Sequence, residues 1–207
     1  MLNTEFNKIY LINLGRSVER LKEVSKECAR VGVKFERVSA IDGWKENLTV
    51  SKKGPEGWTS GARGLLQTTI KIIEDAIEKD YKSIMILEDD VKFMTNADLV
   101  FNFCMKSIEK LDPEWNFIHL NYKDIVPSKW VAPGTKRLNG SWCCQAYGIQ
   151  SNIYKIYLER LKQELKPIDQ ITAELHKEKQ KSYGPSAPIV YHRTGQFSDL
   201  RDEIVGY

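Results

Sequence analysis

The sequence predicts an α/β fold in which a mostly parallel, Rossmann-like sheet is flanked by helices. Short apolar runs alternate along the chain with segments whose apolar residues recur every three or four positions, as in strands followed by helices. The run "SIMIL", residues 83–87, shows no polar alternation, which is typical of a strand covered on both faces. At 207 residues and 42% hydrophobic content, we expect residues 1–207 to form one domain with a substantial core.

The chain up to residue 60 gives two strands and one helix. "KIYLINL", residues 8–14, is the first predicted strand, and the helix after it has Ser17 as its cap and Gly32 as its left-handed end residue. The apolar positions of that helix are Val18, Leu21, Val24, Cys28 and Val31. "KFERVSAI", residues 34–41, is the second strand, and residues 44–60 form a loop rich in Lys, Gly, Pro and Glu.

The second half continues the alternation of helices and strands. The predicted helices are residues 61–80, residues 97–111 after an Asn96 cap, and residues 152–165 after a Ser151 cap; the predicted strands are residues 83–87, 115–121 and 144–150. Pro167 ends the last of these helices because it lacks a backbone N–H. We expect right-handed crossovers between parallel strands.

The composition excludes some classes of protein. Lys and Arg number 31 against 28 Asp and Glu, so the net charge of +3 does not indicate a dedicated nucleic-acid or membrane binder. No apolar run approaches the ~18 residues of a membrane span, and the N-terminus shows no charged leader before an apolar stretch. We therefore expect a cytoplasmic protein without stable membrane insertion. The four cysteines show no C-x-x-C spacing, which favours buried free thiols over zinc ligands.

An acidic triplet closes the most apolar predicted strand. Glu88, Asp89 and Asp90 lie at its carboxyl end, which is where ligands bind in parallel sheets. Three carboxylates about 4 to 7 Å apart repel by roughly 2 to 4 kcal/mol per pair, so a positive group should offset them. One interpretation is a divalent cation with phosphates gripped by Arg16 and Arg20; the other is a surface turn of acids beside solvated helix arginines.

Several motifs in order resemble glycosyltransferase family 25, which includes bacterial lipooligosaccharide sugar transferases and collagen galactosyltransferases. They are "IYLINLGRSVER", "VSAIDG", "GARGLLQTT", "IMILEDDV", "AYGIQS", "PID", and "PIVYH" with "SDL", spread over residues 8–200. The resemblance implies a GT-A type fold, a nucleotide-sugar donor such as a UDP-sugar, Mn²⁺ or Mg²⁺ held by the acidic triplet, and transfer to an acceptor hydroxyl with inversion at the anomeric carbon.

The resemblance also implies roles for particular residues. Asp90 would ligate the metal with His192 as a second ligand or phosphate contact, Asp89 would contact the donor ribose or a metal-bound water, and Glu88 would orient its neighbours. Other donor-binding positions would be Asn13, Arg16, Arg20, Asp42 and Gly43, with Gly61 and Gly64 letting the backbone approach the donor. Asp169 is the first choice for the general base and Asp199 the reserve; each has an alternative interpretation as a helix cap or loop acid.

The donor sugar and the acceptor stay open. The family usually has Asp at the position of Gly15, and Cys, Ser and His near Leu65, Thr68 and Thr69, which leaves donor choice uncertain. Without a basic, aromatic tail, a saccharide acceptor is favoured; the alternatives are a hydroxymethylated DNA base, a protein hydroxyl, or a catalytically silent nucleotide-binding module. A DNA acceptor would use the basic residues Lys52, Lys53, Lys136 and Arg137. Trp44, Trp58, Trp130 and Trp142 are candidates for stacking on sugar or base rings, whereas Trp115 is expected to pack.

Overall fold

The structure is a computed structural model that describes residues 2–51 and 53–193 in full, together with the backbone of residues 197–198 and 203–204. The helices are α1 (Leu2–Glu5), α2 (Val18–Arg30), α3 (Ser60–Glu78), α4 (Ala97–Leu111), α5 (Ser151–Lys162) and α6 (Ile168–Lys179). The strands are β1 (Lys8–Asn13), β2 (Glu36–Ser39), β3 (Ser83–Glu88), β4 (Val91–Phe93), β5 (Phe117–His119), β6 (Lys123–Asp124), β7 (Lys129–Ala132), β8 (Thr135–Arg137), β9 (Ser141–Trp142), β10 (Ala146–Gln150), β11 (Ser182–Pro185), β12 (Val190–His192), β13 (Phe197–Ser198) and β14 (Glu203–Ile204).

The central sheet of the described residues has eight strands in the order β2-β1-β3-β10-β5-β11-β8-β7. β1 is parallel to β2 and β3, and β11 is parallel to β5. β10 is antiparallel to both of its neighbours, and β8 is antiparallel to β11 and β7. Six of the eight strands therefore run in one direction, which confirms the predicted mostly parallel α/β sheet and puts β3 in its interior.

The two faces of β3 explain why its sequence does not alternate. Met85 and Leu87 belong to a buried cluster that also contains side chains of α2 and α4. Ile84 and Ile86 belong to a second cluster with side chains of α3 and α5. Because both faces of the strand are covered by helices, every position from 83 to 87 is buried.

The predicted helix ends are only partly correct. Gly32 has φ of +69° after α2, as expected for a left-handed end residue. Ser17 and Asn96 occupy cap positions without a side-chain cap hydrogen bond, and Gln150 rather than Ser151 precedes α5. The cap that the sequence reading missed is Thr59, whose hydroxyl oxygen accepts a hydrogen bond from the Ala62 N–H at 3.1 Å before α3.

The largest omission in the predicted elements is α6. The expected helix over residues 152–165 ends three residues earlier, at Lys162, and Pro167 is the cap residue of a further helix, α6, instead of only terminating one. Proline suits this position because the first turn of a helix has no intrahelical partner for its N–H. The strands β2, β5 and β10 are also shorter than predicted.

Two further expectations concern membranes and cysteines. Among the described residues, no helix combines the length and the apolar character that crossing a bilayer requires. All four cysteines are free thiols; Cys28, Cys104 and Cys144 are buried, and Cys143 is partly exposed.

Candidate functional site

A cleft of about 450 Å³ opens where β1 and β3 reach their carboxyl ends. One part of its lining comes from the end of β1, from α2 and from the loop after β2: Asn13, Arg20, Asp42, Gly43 and Trp44. The acidic triplet Glu88, Asp89 and Asp90 lies at the end of β3. The remainder includes Gly61, Lys123, Asp169, His192 and the segment from Trp142 to Gln145. Most of the residues predicted from the sequence are therefore brought together in one cavity.

The positive group expected beside the acidic triplet is Arg20. Its guanidinium forms an ion pair with Asp89, which is only 5% exposed. The Asn13 amide donates a second hydrogen bond to Asp89 at 2.7 Å. Burial still raises the pKa of Asp89, although Arg20 and Asn13 act in the opposite direction. Burial also raises the pKa of Glu88 well above its usual value, and the carboxylates of Asp90 and Asp169 raise it further.

Asn13 and Asp42 are fixed by their own contacts. The Asn13 side chain accepts a hydrogen bond from Arg37 Nε at 3.0 Å and donates to the Ser17 carbonyl at 3.1 Å, which ties β1 to the start of α2. Asp42 forms an ion pair with Arg16 and accepts the Lys45 N–H at 3.1 Å. Arg16 is not among the side chains lining the cleft, so it contributes to the site through Asp42.

Asp90 is paired on one carboxylate oxygen only. His192 lies on β12, which pairs with β4, and its Nδ1 is 3.0 Å from Asp90 Oδ2. Asp90 Oδ1 is buried and has no hydrogen-bond partner among the described residues. No group of three or more His, Cys, Asp or Glu in that part of the chain is arranged to hold a metal ion. This donor set fits Mg²⁺ or Mn²⁺ of the kind bound by one or two carboxylates together with ligand phosphates, rather than an all-protein metal site.

Asp169 lies in the first turn of α6 and reaches into the cleft. Its Oδ1 accepts the Cys144 N–H at 2.9 Å, which joins α6 to the loop before β10. Cys143 in that loop has φ of +82°, an uncommon conformation for a residue with a side chain. Burial raises the pKa of the Cys143 thiol to about 12, so the thiol stays protonated at neutral pH. Asp199, the alternative base, lies outside the described residues.

The predicted glycines have different surroundings. Gly61 lines the cleft, where its role toward a donor stays a prediction. Gly64 is buried, and a Cβ there would lie 2.7 Å from the Gly43 nitrogen. Close packing of α3 against residues 41–43 therefore explains the glycine at position 64 without a ligand.

The aromatic candidates separate into three groups. Trp44 and Trp142 line the cleft, while Trp58 is 8% exposed and packs in the core, as Trp115 does. The expectation that Trp58 stacks on a ligand is wrong, because its ring joins the cluster beneath α3 and α5. Trp130 is 65% exposed on β7, with Lys136 Nζ 5.3 Å from its ring centre.

The proposed basic rim is divided between elements. Lys136 and Arg137 lie on β8, next to the outer strand β7 of the sheet. Lys53 lies in the loop between β2 and α3, at the β2 end of the strand order, and Lys52 is outside the described residues. None of the three described residues lines the cleft.

The residues of the cleft that the sequence did not predict include Gln145 and Lys123. A single amide or lysine makes no spacing pattern, so neither left a signal in the sequence. His119 and His176 are completely buried and do not line the cleft.

Comparison with known proteins agrees with the motif resemblance. The family model described as Glycosyltransferase family 25 (LPS biosynthesis protein) matches residues 6–132. "Inactive glycosyltransferase 25 family member 3" of Homo sapiens is 21% identical over 183 residues, covering 80% of this chain and 31% of the human protein. "Procollagen galactosyltransferase 2" of Mus musculus is 21% identical over 131 residues, covering 57% of this chain and 21% of the mouse protein.

Among solved structures, A197 from STIV superimposes with a TM-score of 0.50 at 13% identity, covering 96% of this chain and 93% of that one. This similarity concerns the fold alone. Because the family model covers more than half of the sequence, the chain belongs to glycosyltransferase family 25. Family membership and the observed sheet confirm the predicted GT-A type α/β fold class. The chain spans about a third of the length of the human relative.

Proposed function

We propose that this chain transfers a sugar from a nucleotide-sugar donor, such as a UDP-sugar, to an acceptor hydroxyl, with Mn²⁺ or Mg²⁺ as cofactor. The observation that carries the proposal is the buried Asp90 Oδ1, which has no hydrogen-bond partner among the described residues and lies in a cleft at the strand ends. Membership of glycosyltransferase family 25 supports sugar transfer as the activity.

Asp90 and His192 would hold the cofactor together with the donor diphosphate. When bound, the cation would neutralise charge on the departing diphosphate. The hydrogen bond between His192 Nδ1 and Asp90 Oδ2 fixes one oxygen of the carboxylate, and Oδ1 is left for a ligand. Arg20 would keep Asp89 ionised and in place beside the donor ribose, since it pairs with that carboxylate.

Asp169 would act as the general base. Its Oδ1 is engaged by the Cys144 N–H, which holds the carboxylate in the cleft and leaves Oδ2 for the proton of an acceptor hydroxyl. A positioned base of this kind contributes about 10²- to 10⁴-fold to rate. The acceptor hydroxyl would then attack the anomeric carbon from the face opposite the nucleotide, with inversion. A saccharide is the favoured acceptor, as expected from the sequence.

The second candidate function is a nucleotide-binding module that catalyses no transfer. One observation favours it: the matching human relative is named as an inactive family member. This alternative uses the same cleft and the same cation, so nucleotide binding alone does not separate it from the enzyme.

The test is a transfer and hydrolysis assay over a panel of nucleotide sugars with Mn²⁺, Mg²⁺ or EDTA. Acceptors in the assay are saccharides, peptides and hydroxymethylated DNA. We expect release of nucleoside diphosphate from one donor only when the metal is present, and loss of that release in Asp90→Asn. Lys155→Gln, which changes an exposed residue of α5 that does not line the cleft, is the matched control and should retain activity. Normal turnover by the Asp90 variant would show that the metal assignment is wrong, and binding without release from any donor would favour the silent module.

A further inference from the structure

Gln145 presents a buried amide donor to the cleft. The residue precedes β10, is 1% exposed and belongs to the cleft lining. The main-chain carbonyl oxygen of Gln145 accepts a hydrogen bond from the Glu88 N–H at 2.8 Å, so the Gln145 backbone is held directly beside the acidic triplet. The side chain is therefore fixed between the end of β3 and the loop that contacts Asp169.

Asn121 determines which way the Gln145 amide faces. The Asn121 Nδ2 donates to Gln145 Oε1 at 2.9 Å. Gln145 Nε2 is then directed elsewhere, and it is buried without a hydrogen-bond partner among the described residues. A buried donor without a partner is unfavourable, so an oxygen from a bound molecule would stabilise this arrangement.

The surroundings of Gln145 indicate what kind of oxygen fits. The carboxyl group of Glu88 also lines the cleft, and it makes no hydrogen bond or ion pair with a described residue. An anionic phosphate at this position would meet the negative charges of the acidic triplet. A hydroxyl group is neutral, accepts from an amide and donates to a carboxylate, so it satisfies both groups together.

The rim next to Gln145 suits a sugar ring. Trp142 pairs with Lys123 across β9 and β6, and both side chains line the cleft. The indole offers a flat apolar surface of the kind that packs against a sugar face. Lys123 makes no ion pair with any residue in the described part of the chain.

We infer that Gln145, oriented by Asn121 and bordered by Trp142, forms a subsite for a hydroxyl group of the transferred sugar. This inference rests on the proposed function, because it takes the ligand to be the sugar of a nucleotide-sugar donor. It assigns sugar recognition to the segment before β10, and nucleotide recognition to the ends of β1 and β2.

The test compares Gln145→Leu, which keeps the buried volume but removes the donor, with the wild-type chain. Calorimetry with Mn²⁺ measures the Kd of each nucleotide sugar in the panel and of the matching nucleoside diphosphate. We expect the nucleotide sugar to bind about fivefold more weakly in the variant, as for one lost hydrogen bond, and the nucleoside diphosphate to bind equally well.

Two further variants separate recognition from folding. Asn121→Asp places a carboxylate against Gln145 Oε1 and should rotate the amide, giving the same selective loss. Gln150→Leu removes an amide at the other end of β10, which donates to the Pro113 carbonyl at 3.1 Å, and should leave both affinities unchanged. Thermal melting of all three variants checks that they fold.

The outcomes distinguish this inference from the proposed function. If the wild-type chain binds no nucleotide sugar in the panel, both are contradicted. If the wild-type chain binds a nucleotide sugar, and Gln145→Leu keeps the wild-type ratio between the Kd of that nucleotide sugar and the Kd of the nucleoside diphosphate, only the inference of a sugar subsite is wrong. An equal loss of affinity for sugar nucleotide and nucleoside diphosphate would also overturn it, because the residue would then act on the nucleotide or on the whole cleft.

Discussion

The Nε2 atoms of His119 and His176 lie 3.1 Å apart in the core, and both side chains are completely buried. The Ser141 N–H donates to His176 Nδ1 at 3.4 Å, so the proton of His176 is on Nε2. His119 Nδ1 lies 3.3 Å from the Cys143 carbonyl and donates to it. The contacts therefore form one continuous set of hydrogen bonds that requires both rings to be neutral, and it connects β5 and α6 to the loop beside Asp169.

This pair predicts a loss of stability in acid. Burial lowers the pKa of His119 to about 4 and lowers the pKa of His176 well below its usual value. The unfolded chain takes up protons on both rings below about pH 6.5, while the folded chain does not. The two histidines should therefore reduce the free energy of unfolding by roughly 2 kcal/mol between pH 7 and pH 5.5.

Urea denaturation at the two pH values checks this contribution. Glu88 acts in the opposite sense, because its raised pKa favours proton uptake by the folded chain, so the comparison must be between variants. The double variant His119→Leu/His176→Leu should lack the ~2 kcal/mol acid loss. The control variant His192→Gln removes the histidine of the cleft and should show the same acid-dependent loss of stability as the wild type. An identical pH dependence in the wild type and the double variant would contradict the neutral pair.

The ion pair of Arg20 with Asp89 should matter more for stability than that of Arg16 with Asp42. Asp89 is buried, and Arg20→Met leaves its carboxylate uncompensated, which we expect to cost about 3 kcal/mol. Arg16 is 47% exposed in its side chain, and Arg16→Met should cost less than ~1 kcal/mol. Chemical denaturation measures both. Adding Asp89→Asn to Arg20→Met should recover part of the lost free energy of unfolding. Equal effects of the two single arginine variants would argue against Arg20 as the positive group that offsets the acidic triplet.

Gly64 should not tolerate a side chain, whereas Gly15 should. A methyl group at position 64 would meet the Gly43 backbone, so Gly64→Ala is expected to destabilise by about 1 to 3 kcal/mol. At Gly15 a Cβ has no neighbour within 4 Å, and Gly15→Ala should be neutral or slightly stabilising. Thermal melting of both variants tests the difference. A stable Gly64→Ala chain would show that α3 can move away from residues 41–43.

Asp169→Asn should separate catalysis from structure. An asparagine oxygen can still accept the Cys144 N–H, so the loop and the melting temperature should be preserved. It cannot take a proton at neutral pH, so transfer should fall about 10²- to 10⁴-fold. The assay is sugar transfer at saturating donor, with Lys179→Gln, an exposed change on α6, as the control. Transfer at the wild-type rate would show that Asp169 is not the general base.

The accuracy of the sequence predictions depended on how local their physical cause was. β1, α3 and β3 were predicted because the apolar pattern of each segment reflects its own burial. The reversed direction of β10 left no trace in residues 144–150, since direction depends on which distant strands become neighbours. α6 had a local signal in Ile168, Ile171 and Leu175, but the interpretation of Pro167 as an end hid it.

The residues of the candidate site show the same difference between local signals, which the sequence reveals, and contacts that depend on the folded chain. Glu88, Asp89 and Asp90 were found because a run of acids after an apolar strand is unusual. Arg20 was expected near them because it follows the carboxyl end of the first strand, and it forms an ion pair with Asp89. Gln145 was missed because its meaning comes entirely from Asn121 and from its burial, both of which depend on the folded chain.

The central claim is that the cleft binds a nucleotide together with a divalent cation through Asp90. Calorimetric titration of UDP into the wild-type chain and Asp90→Asn, each with Mn²⁺ and with EDTA, tests it most directly. We predict that Mn²⁺ tightens UDP binding at least about tenfold, or ~1.4 kcal/mol, in the wild-type chain and has no effect in the variant. UDP affinity that is the same in all four titrations would contradict the claim.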